Sequence, residues 1–174
     1  MSAARQDEFE RIAIPHTRAL LRVARRLTGR SSTAEDLVQE TLLSAWRGFH
    51  QFRPDTNIRA WLFRILFNTF YGQGRKLSAT LVPISPAMAA RCPSADDAIE
   101  VMRALDGLEV EHRSVLLLGV VEGFTCREMA GILAVPIGTV MSRLSRARQA
   151  MRRGLERRED ELLGSAGTRA AVAP

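Results

Sequence analysis

The sequence predicts an all-α protein: two small helical domains joined by a flexible linker. Three observations predict it. Apolar residues recur three and four apart along most of the chain, the period of an amphipathic helix. Strand signals are nearly absent, with few alternating runs and no Asn-Gly turn. Residues 78–95, "SATLVPISPAMAARCPSA", interrupt the pattern with three prolines and almost no charge. That linker reaches at most roughly 60 Å when extended. The expected division is a first domain over 8–77, the linker over 78–95, a second domain over 96–157 and a tail over 158–174.

The first helix is expected over Glu8 to Leu27, stopped by Thr28-Gly29. In "SSTAEDLVQETLLSAWRGF", Ser32 or Thr33 can cap a second helix, and Glu35 and Asp36 suit its positive end. Val38, Leu42, Ala45 and Phe49 then form one buried stripe. Pro54 and Asp55 mark a loop over residues 50–57. A third helix runs from about Asn57 to Tyr71 and is expected to fray at Gly72 and Gly74. Beyond the linker, helices are expected at about 95–107, 111–122, 125–133 and 137–157. Gly123 can end one of them in a left-handed conformation. Thr125 and Glu128 fit a capping box. The short helix that follows buries Met129, Ile132 and Leu133, with Ala130 small enough for a close crossing. "AVPIG" is the turn, and Pro136 suits a helix start. Two helices joined by a tight turn, the second basic, make a helix-turn-helix. The end of the chain, "LLGSAGTRAAVAP", reads as a frayed tail.

Apolar residues at 46% exclude wholesale disorder, and a net charge of +6 with pI near 10.8 favours an anionic partner. The charge is uneven. Residues 1–77 carry 13 basic and 7 acidic groups, residues 96–136 carry 3 and 8, and residues 137–158 carry 7 and 1. Two basic blocks imply two places where a polyanion is touched. On the last helix Val140, Leu144, Ala147 and Met151 should face the core. Thr139, Ser142, Arg143, Arg146 and Arg153 then point outward. Early outward residues of a major-groove helix reach base edges and later ones reach phosphates. Ser142, Arg143 and Arg146 are therefore candidates for bases, and Arg148, Arg152 and Arg153 for the backbone.

Eight of the ten aromatic residues fall between Trp46 and Tyr71, interleaved with Arg47, Arg53, Arg59 and Arg64. Two readings stand. The rings pack a core, or some of them stack on unpaired bases while arginines hold phosphates. The stretch from Trp61 to Phe70 is apolar nearly all round, more than one packing face needs. The polar loop 50–57 can form a pocket for a flipped base. The second helix has a further face, with Asp36, Gln39, Glu40 and Leu43, that fits a basic protein surface. Charge complementarity at the helix end accounts equally for Glu35 and Asp36.

Cys92 and Cys126 lie far apart and read as free thiols of a reducing cytoplasm, with a regulatory disulfide as the other reading. No signal peptide is visible, and no apolar run approaches the roughly 20 residues needed to span a bilayer. His16, His50 and His112 are scattered, no carboxylates have metal-ligand spacing, and no phosphate-binding Gly-rich motif occurs. No cofactor, no metal and no catalytic activity are expected.

The motifs A-E-D-L-V-Q-E-T, R-A-W-L-F-R-I and P-x-G-T-V-x-S-R-L-x-R-A-R occur in this order over roughly residues 8–157. They resemble domains 2 and 4 of the bacterial ECF (extracytoplasmic function) sigma factors of the sigma-70 family. The resemblance implies a specificity subunit of RNA polymerase that directs promoter-specific initiation in a stress or envelope response. By it, Asp36, Leu37, Gln39, Glu40 and Leu43 dock on the β′ clamp, and domain 4 rests on the β flap. His50, Phe52, Arg53, Asn57, Arg59, Trp61, Arg64 and Asn68 open and read the minus-ten element as single-stranded DNA. Thr139, Ser142, Arg143, Arg146, Arg148 and Arg153 read the duplex minus-thirty-five element. An anti-sigma factor is an implied partner; membrane insertion and homo-oligomers are not. Met141 departs from the pattern, which usually carries Lys or Arg there. Either one contact is missing, or an apolar touch on a thymine methyl replaces it. The glycines of "FYGQGRK" also depart and put the reach of Arg75 and Lys76 in question. A stand-alone helix-turn-helix regulator is the other reading; it requires a dimerisation surface and leaves the acidic face and aromatic block without a role.

Overall fold

The computed structural model describes the backbone of residues 3–77 and 96–170, and side chains over 4–72 and 101–156. The linker over 78–95 and Cys92 lie outside the described residues, as do the side chains of Arg75 and Lys76. Every regular element among the described residues is helical.

The expected first helix is two: α1, Ala3–Ala13, and α2, Thr17–Thr28, separated by a tight turn at Ile14–His16. Pro15 causes the break, because its ring removes a donor and clashes with the preceding turn. Gly29 ends α2 at φ +69°, its N–H donating to the Arg25 carbonyl at 3.0 Å. The third helix, α3, Ser31–Gly48, begins earlier than expected. Extended Arg30 precedes it, so Ser32 and Thr33 lie inside the first turn and cap nothing. The expected stripe is present: Val38, Ala45 and Phe49 are buried and Leu42 half-buried, widened by Ala34, Leu37 and Thr41. After a turn at Phe49–Gln51 and an open loop comes α4, Ile58–Leu77. It continues through Gly72 and Gly74, which lower helix propensity by about 1 kcal/mol each without forbidding the helix.

The second group comprises α5, Asp96–Asp106, α6, Val110–Leu116, α7, Cys126–Leu133, and α8, Ile137–Ala170. Between α6 and α7 the chain widens into a π turn at Leu117–Val121, where the Glu122 N–H reaches five residues back to the Leu117 carbonyl at 3.0 Å. The capping box of α7 is present. The Glu128 N–H donates to Thr125 Oγ1 at 3.3 Å, and the Thr125 N–H donates to Glu128 Oε2 at 2.9 Å. Ala134 makes the following turn in the left-handed region, at φ 53°. The Pro136 carbonyl then accepts from Thr139 and Val140 at 2.9 and 3.2 Å and starts α8. The helix outruns its expected end and takes in most of the predicted tail, because in "LERREDELL" every residue but Asp160 is a strong helix former.

The apolar girth of α4 is explained by position. It packs against α1, α2 and α3 within its own domain and against α7 of the other. Leu62, Phe63, Leu66 and Phe67 are all buried, and Phe63 meets Phe124 edge-on with centroids 5.3 Å apart. Phe9, Trp46, Phe49, Phe52 and Trp61 form a continuous chain of ring contacts. Of the two aromatic readings, core packing accounts for most of the rings.

Glu122 clasps the two groups of helices. Its carboxylate has no solvent exposure and lies between two guanidinium groups of the first domain. Arg22 donates from Nε and Nη2 to Oε1, at 3.0 and 2.7 Å. Arg59 donates to Oε2 and lies over the Phe124 ring, 4.6 Å from its centroid. Around this centre Arg113 donates to the Arg26 and Leu108 carbonyls, each at 2.9 Å, and Tyr71 bonds Ser114 at 3.2 Å. A buried carboxylate without partners would be destabilising by several kcal/mol. The exposed pair Arg26–Asp106, at 3.5 Å, contributes under about 1 kcal/mol.

Two outcomes are expected. Ala134→Gly removes left-handed strain and raises stability by up to about 1 kcal/mol, whereas Ala134→Val lowers the thermal midpoint. Glu122→Ala weakens the clasp by about 1–3 kcal/mol, discounted because both arginines are partly hydrated. Hydrogen exchange of α4 and α7 should then accelerate together; unchanged protection of both would contradict the clasp.

Candidate functional site

Three surfaces carry the candidate residues. The first lies on α1 and α3. Asp36, Gln39 and Leu43 are exposed and Glu40 is half-buried, with spacings that place them on one side of α3. Leu37 does not share it. That side chain is fully buried and belongs to the core, so it is not available to a partner. Gln39 and Leu43 wall a groove of about 540 Å³ with Phe9, Ile14, Leu42 and Trp46. An apolar groove with an acidic margin suits a helix that is apolar on one side and basic beside it.

The second surface is the loop after α3 and the flank of α4. His50, Arg53 and Asn57 are exposed in the loop, and Arg64 and Asn68, one turn apart, are exposed on α4. The His50 ring is pinned to the Arg47 carbonyl, with Nδ1 at 3.1 Å. Phe52 and Trp61 are half-buried, 5.2 Å apart between centroids, so each keeps part of its surface in solvent. Two members are turned to the other domain. Asn57 Oδ1 accepts from the Ala60 N–H at 3.2 Å and caps α4, while its amide donates to Glu128 Oε1 at 3.1 Å. Arg59 is engaged by Glu122.

This junction shifts several ionisations. Thr125, through its backbone N–H and then its hydroxyl, holds the Glu128 carboxyl below its ordinary value, with smaller help from Asn57 and Arg59. A depressed carboxylate contributes stability above its unfolded pKa and loses it as pH falls through the folded one. Acid therefore loosens the α7 cap and its link to Asn57. Burial, and then the charge of Arg59, lowers the His16 imidazole. Burial raises the Tyr71 phenol.

The third surface is α8. Val140, Leu144 and Ala147 are buried and Met151 half-buried, as the periodicity predicts. Ser142, Arg146, Arg148 and Arg153 are exposed. Thr139 and Arg143 are only half-exposed, which corrects the expectation that they point outward. They sit on the shoulder of the buried stripe, and the Arg143 charge acts on the Tyr71 phenol at the far end of α4. Ser142 Oγ donates to the Thr139 carbonyl at 3.0 Å.

Sequence reasoning missed Arg22, Arg113, Glu122 and the Phe63–Phe124 contact. One signal was legible: Glu122 is the lone acid in the apolar run "SVLLLGVVEGF", and a charge among buried neighbours needs a partner. Its partner Arg22 is 100 positions away, beyond any local pattern. Among the described residues no helix is long and apolar enough to cross a membrane, and no group of His, Cys, Asp and Glu could hold a metal ion.

Comparison with known proteins agrees with this geometry. Sigma-70 region 2 matches residues 14–80, and Sigma-70, region 4, matches residues 98–151. The ECF RNA polymerase sigma factor SigM of Mycobacterium tuberculosis is 36% identical over 149 residues, covering 83% of this chain and 76% of SigM. The ECF RNA polymerase sigma factor EcfG of Rhodopseudomonas palustris is 35% identical, covering 80% of this chain and 78% of EcfG. Among solved structures, the sigma factor RpoE of Bartonella quintana, in complex with the anti-sigma factor NepR, superposes with a TM-score of 0.74 at 33% identity. That match covers 86% of this chain and 97% of RpoE. With both sigma-70 regions in order on two helical domains, the chain belongs to the ECF RNA polymerase sigma factors and is an alternative sigma factor for transcription initiation.

Proposed function

We propose that this chain joins core RNA polymerase through the α1–α3 face and carries it to promoters read at two places. The domain over 8–77 supplies the clamp contact and opens the minus-ten element. The domain over 96–157 reads the minus-thirty-five element and rests on the β flap. The carrying observation is α8, which presents Ser142 and Arg146 to solvent directly behind a capped helix and tight turn. Arg148 and Arg153 follow on its exposed side for phosphates. At the other element, His50, Arg53, Arg64 and Asn68 meet the backbone, and Phe52 and Trp61 offer ring surface to unpaired bases. The chemistry of RNA synthesis is the polymerase's; this chain binds and positions, in the cytoplasm, as one copy per enzyme.

The clasped conformation is the free form in this reading. The two promoter elements lie about 25 base pairs apart, roughly 85 Å along B-form DNA. Helices α4 and α7 touch, so the two readers cannot span that distance until Glu122 leaves Arg22 and Arg59. The segment over 78–95 adds at most roughly 60 Å, which with the width of the domains suffices. Separation also frees Asn57 and Arg59 for DNA. By extension from RpoE, solved with NepR, an anti-sigma factor is the partner that keeps this chain from polymerase.

Reversing Asp36 and Glu40 to Lys should abolish co-purification with core polymerase while the helical CD spectrum stays unchanged. Retained binding moves the clamp contact elsewhere. Arg146→Ala in the holoenzyme should weaken binding to the selected promoter by about 1–3 kcal/mol and relax one base preference. Equal loss on scrambled duplex makes Arg146 a phosphate contact only.

A further inference from the structure

Within the sigma-factor reading, on which this inference rests, α8 carries a feature that arginine chemistry leaves unexplained. Ile137 and Met141 are 47% and 59% exposed, among the most exposed large apolar side chains described. They stand four residues apart and therefore stack on one side of the helix, about a quarter-turn from the buried line of Val140, Leu144 and Ala147. Arg148, seven residues beyond Met141, falls on that same side, whereas Ser142 and Arg146 lie roughly 100–140° further round the helix. The result is an apolar pair within a cationic, solvent-facing surface at the entering end of a groove-reading helix.

In the major groove the apolar feature of a base edge is the C5-methyl of thymine. Arg148, two turns along the same side, then meets a phosphate and sets the depth at which the pair reaches the base edges. We propose that Met141, with Ile137 beside it, is a specificity-determining residue that packs on thymine methyls of the minus-thirty-five duplex. The position is then not a lost phosphate contact. It exchanges a salt-dependent, sequence-blind interaction for a short-range one that selects thymine over cytosine and uracil.

The test uses holoenzyme assembled from core polymerase and the full chain. Duplexes randomised over the upstream element are selected by the wild type. Each thymine in the winner is then replaced singly by deoxyuridine, which removes only the methyl. At one or two positions the replacement should weaken wild-type binding about three- to five-fold, the scale of one buried methyl. Met141→Ala should bind the thymine and uracil forms equally, and Ile137→Ala should blunt the effect at a neighbouring position. Met141→Arg should steepen the salt dependence and lose the discrimination. Both alanine variants alter exposed side chains, and CD checks that they fold. The inference is overturned if no replacement distinguishes wild type from Met141→Ala, or if Met141→Ala weakens both forms alike, which would mark a protein or phosphate contact. A holoenzyme that selects no duplex at all instead sinks the sigma-factor reading, and this inference with it.

Discussion

One buried carboxylate organises this molecule. Glu122 has no access to water, and Arg22 and Arg59 converge on its carboxylate from the other domain. Its position depends on the π turn at Leu117–Val121, which widens the chain just before it. The same turn brings Phe124 under Arg59 and against Phe63. Ion pair, cation–π contact and edge-on ring pair share one cluster, so they form and break together. A buried pair of this kind is a weak source of net stability but a strong source of specificity, since any other docking leaves a charge without a partner.

The charge pattern takes its meaning from that contact. The acidic stretch over 96–136 lies between two basic blocks and looks in sequence like a mere spacer. In the fold its Glu122, Glu128 and Asp106 meet Arg59, Asn57 and Arg26 of the first domain. Domain 4 thus supplies an internal counter-ion to part of the basic surface of domain 2. If Asn57 and Arg59 contact the minus-ten strand as proposed, nucleic acid competes with Glu128 and Glu122 for them, and binding DNA and separating the domains become one event.

Much of this was legible in the sequence, for local reasons. The capping box at Thr125 and Glu128, the helix stop at Gly29, the left-handed Gly123 and the buried stripe of α8 follow from backbone chemistry within a few residues. Failures occurred where a local signal was outvoted. Gly72 and Gly74 lowered helix propensity but did not end α4, and Ser32 and Thr33 lost the cap to the turn at Gly29 and Arg30. Leu37 belonged to a motif associated with polymerase, yet its burial assigns it to the core. Tertiary pairings stayed out of reach. The excess apolar girth of α4 was visible, but its cause is a helix some 70 positions away. The candidate site divides likewise: Ser142 and Arg146 were readable from periodicity, whereas the engagement of Arg59 was not.

In the proposed function one chain alternates between a clasped free form and an extended form spanning two promoter elements. Spin labels at exposed Arg18 on α2 and Arg127 on α7, in a chain with Cys92 and Cys126 replaced by serine, report the separation of the domains by pulsed dipolar spectroscopy. Alternation gives one short, narrow distance in the free chain and its replacement by a much longer one on core polymerase with promoter DNA. The same short distance in a transcriptionally active holoenzyme would contradict it.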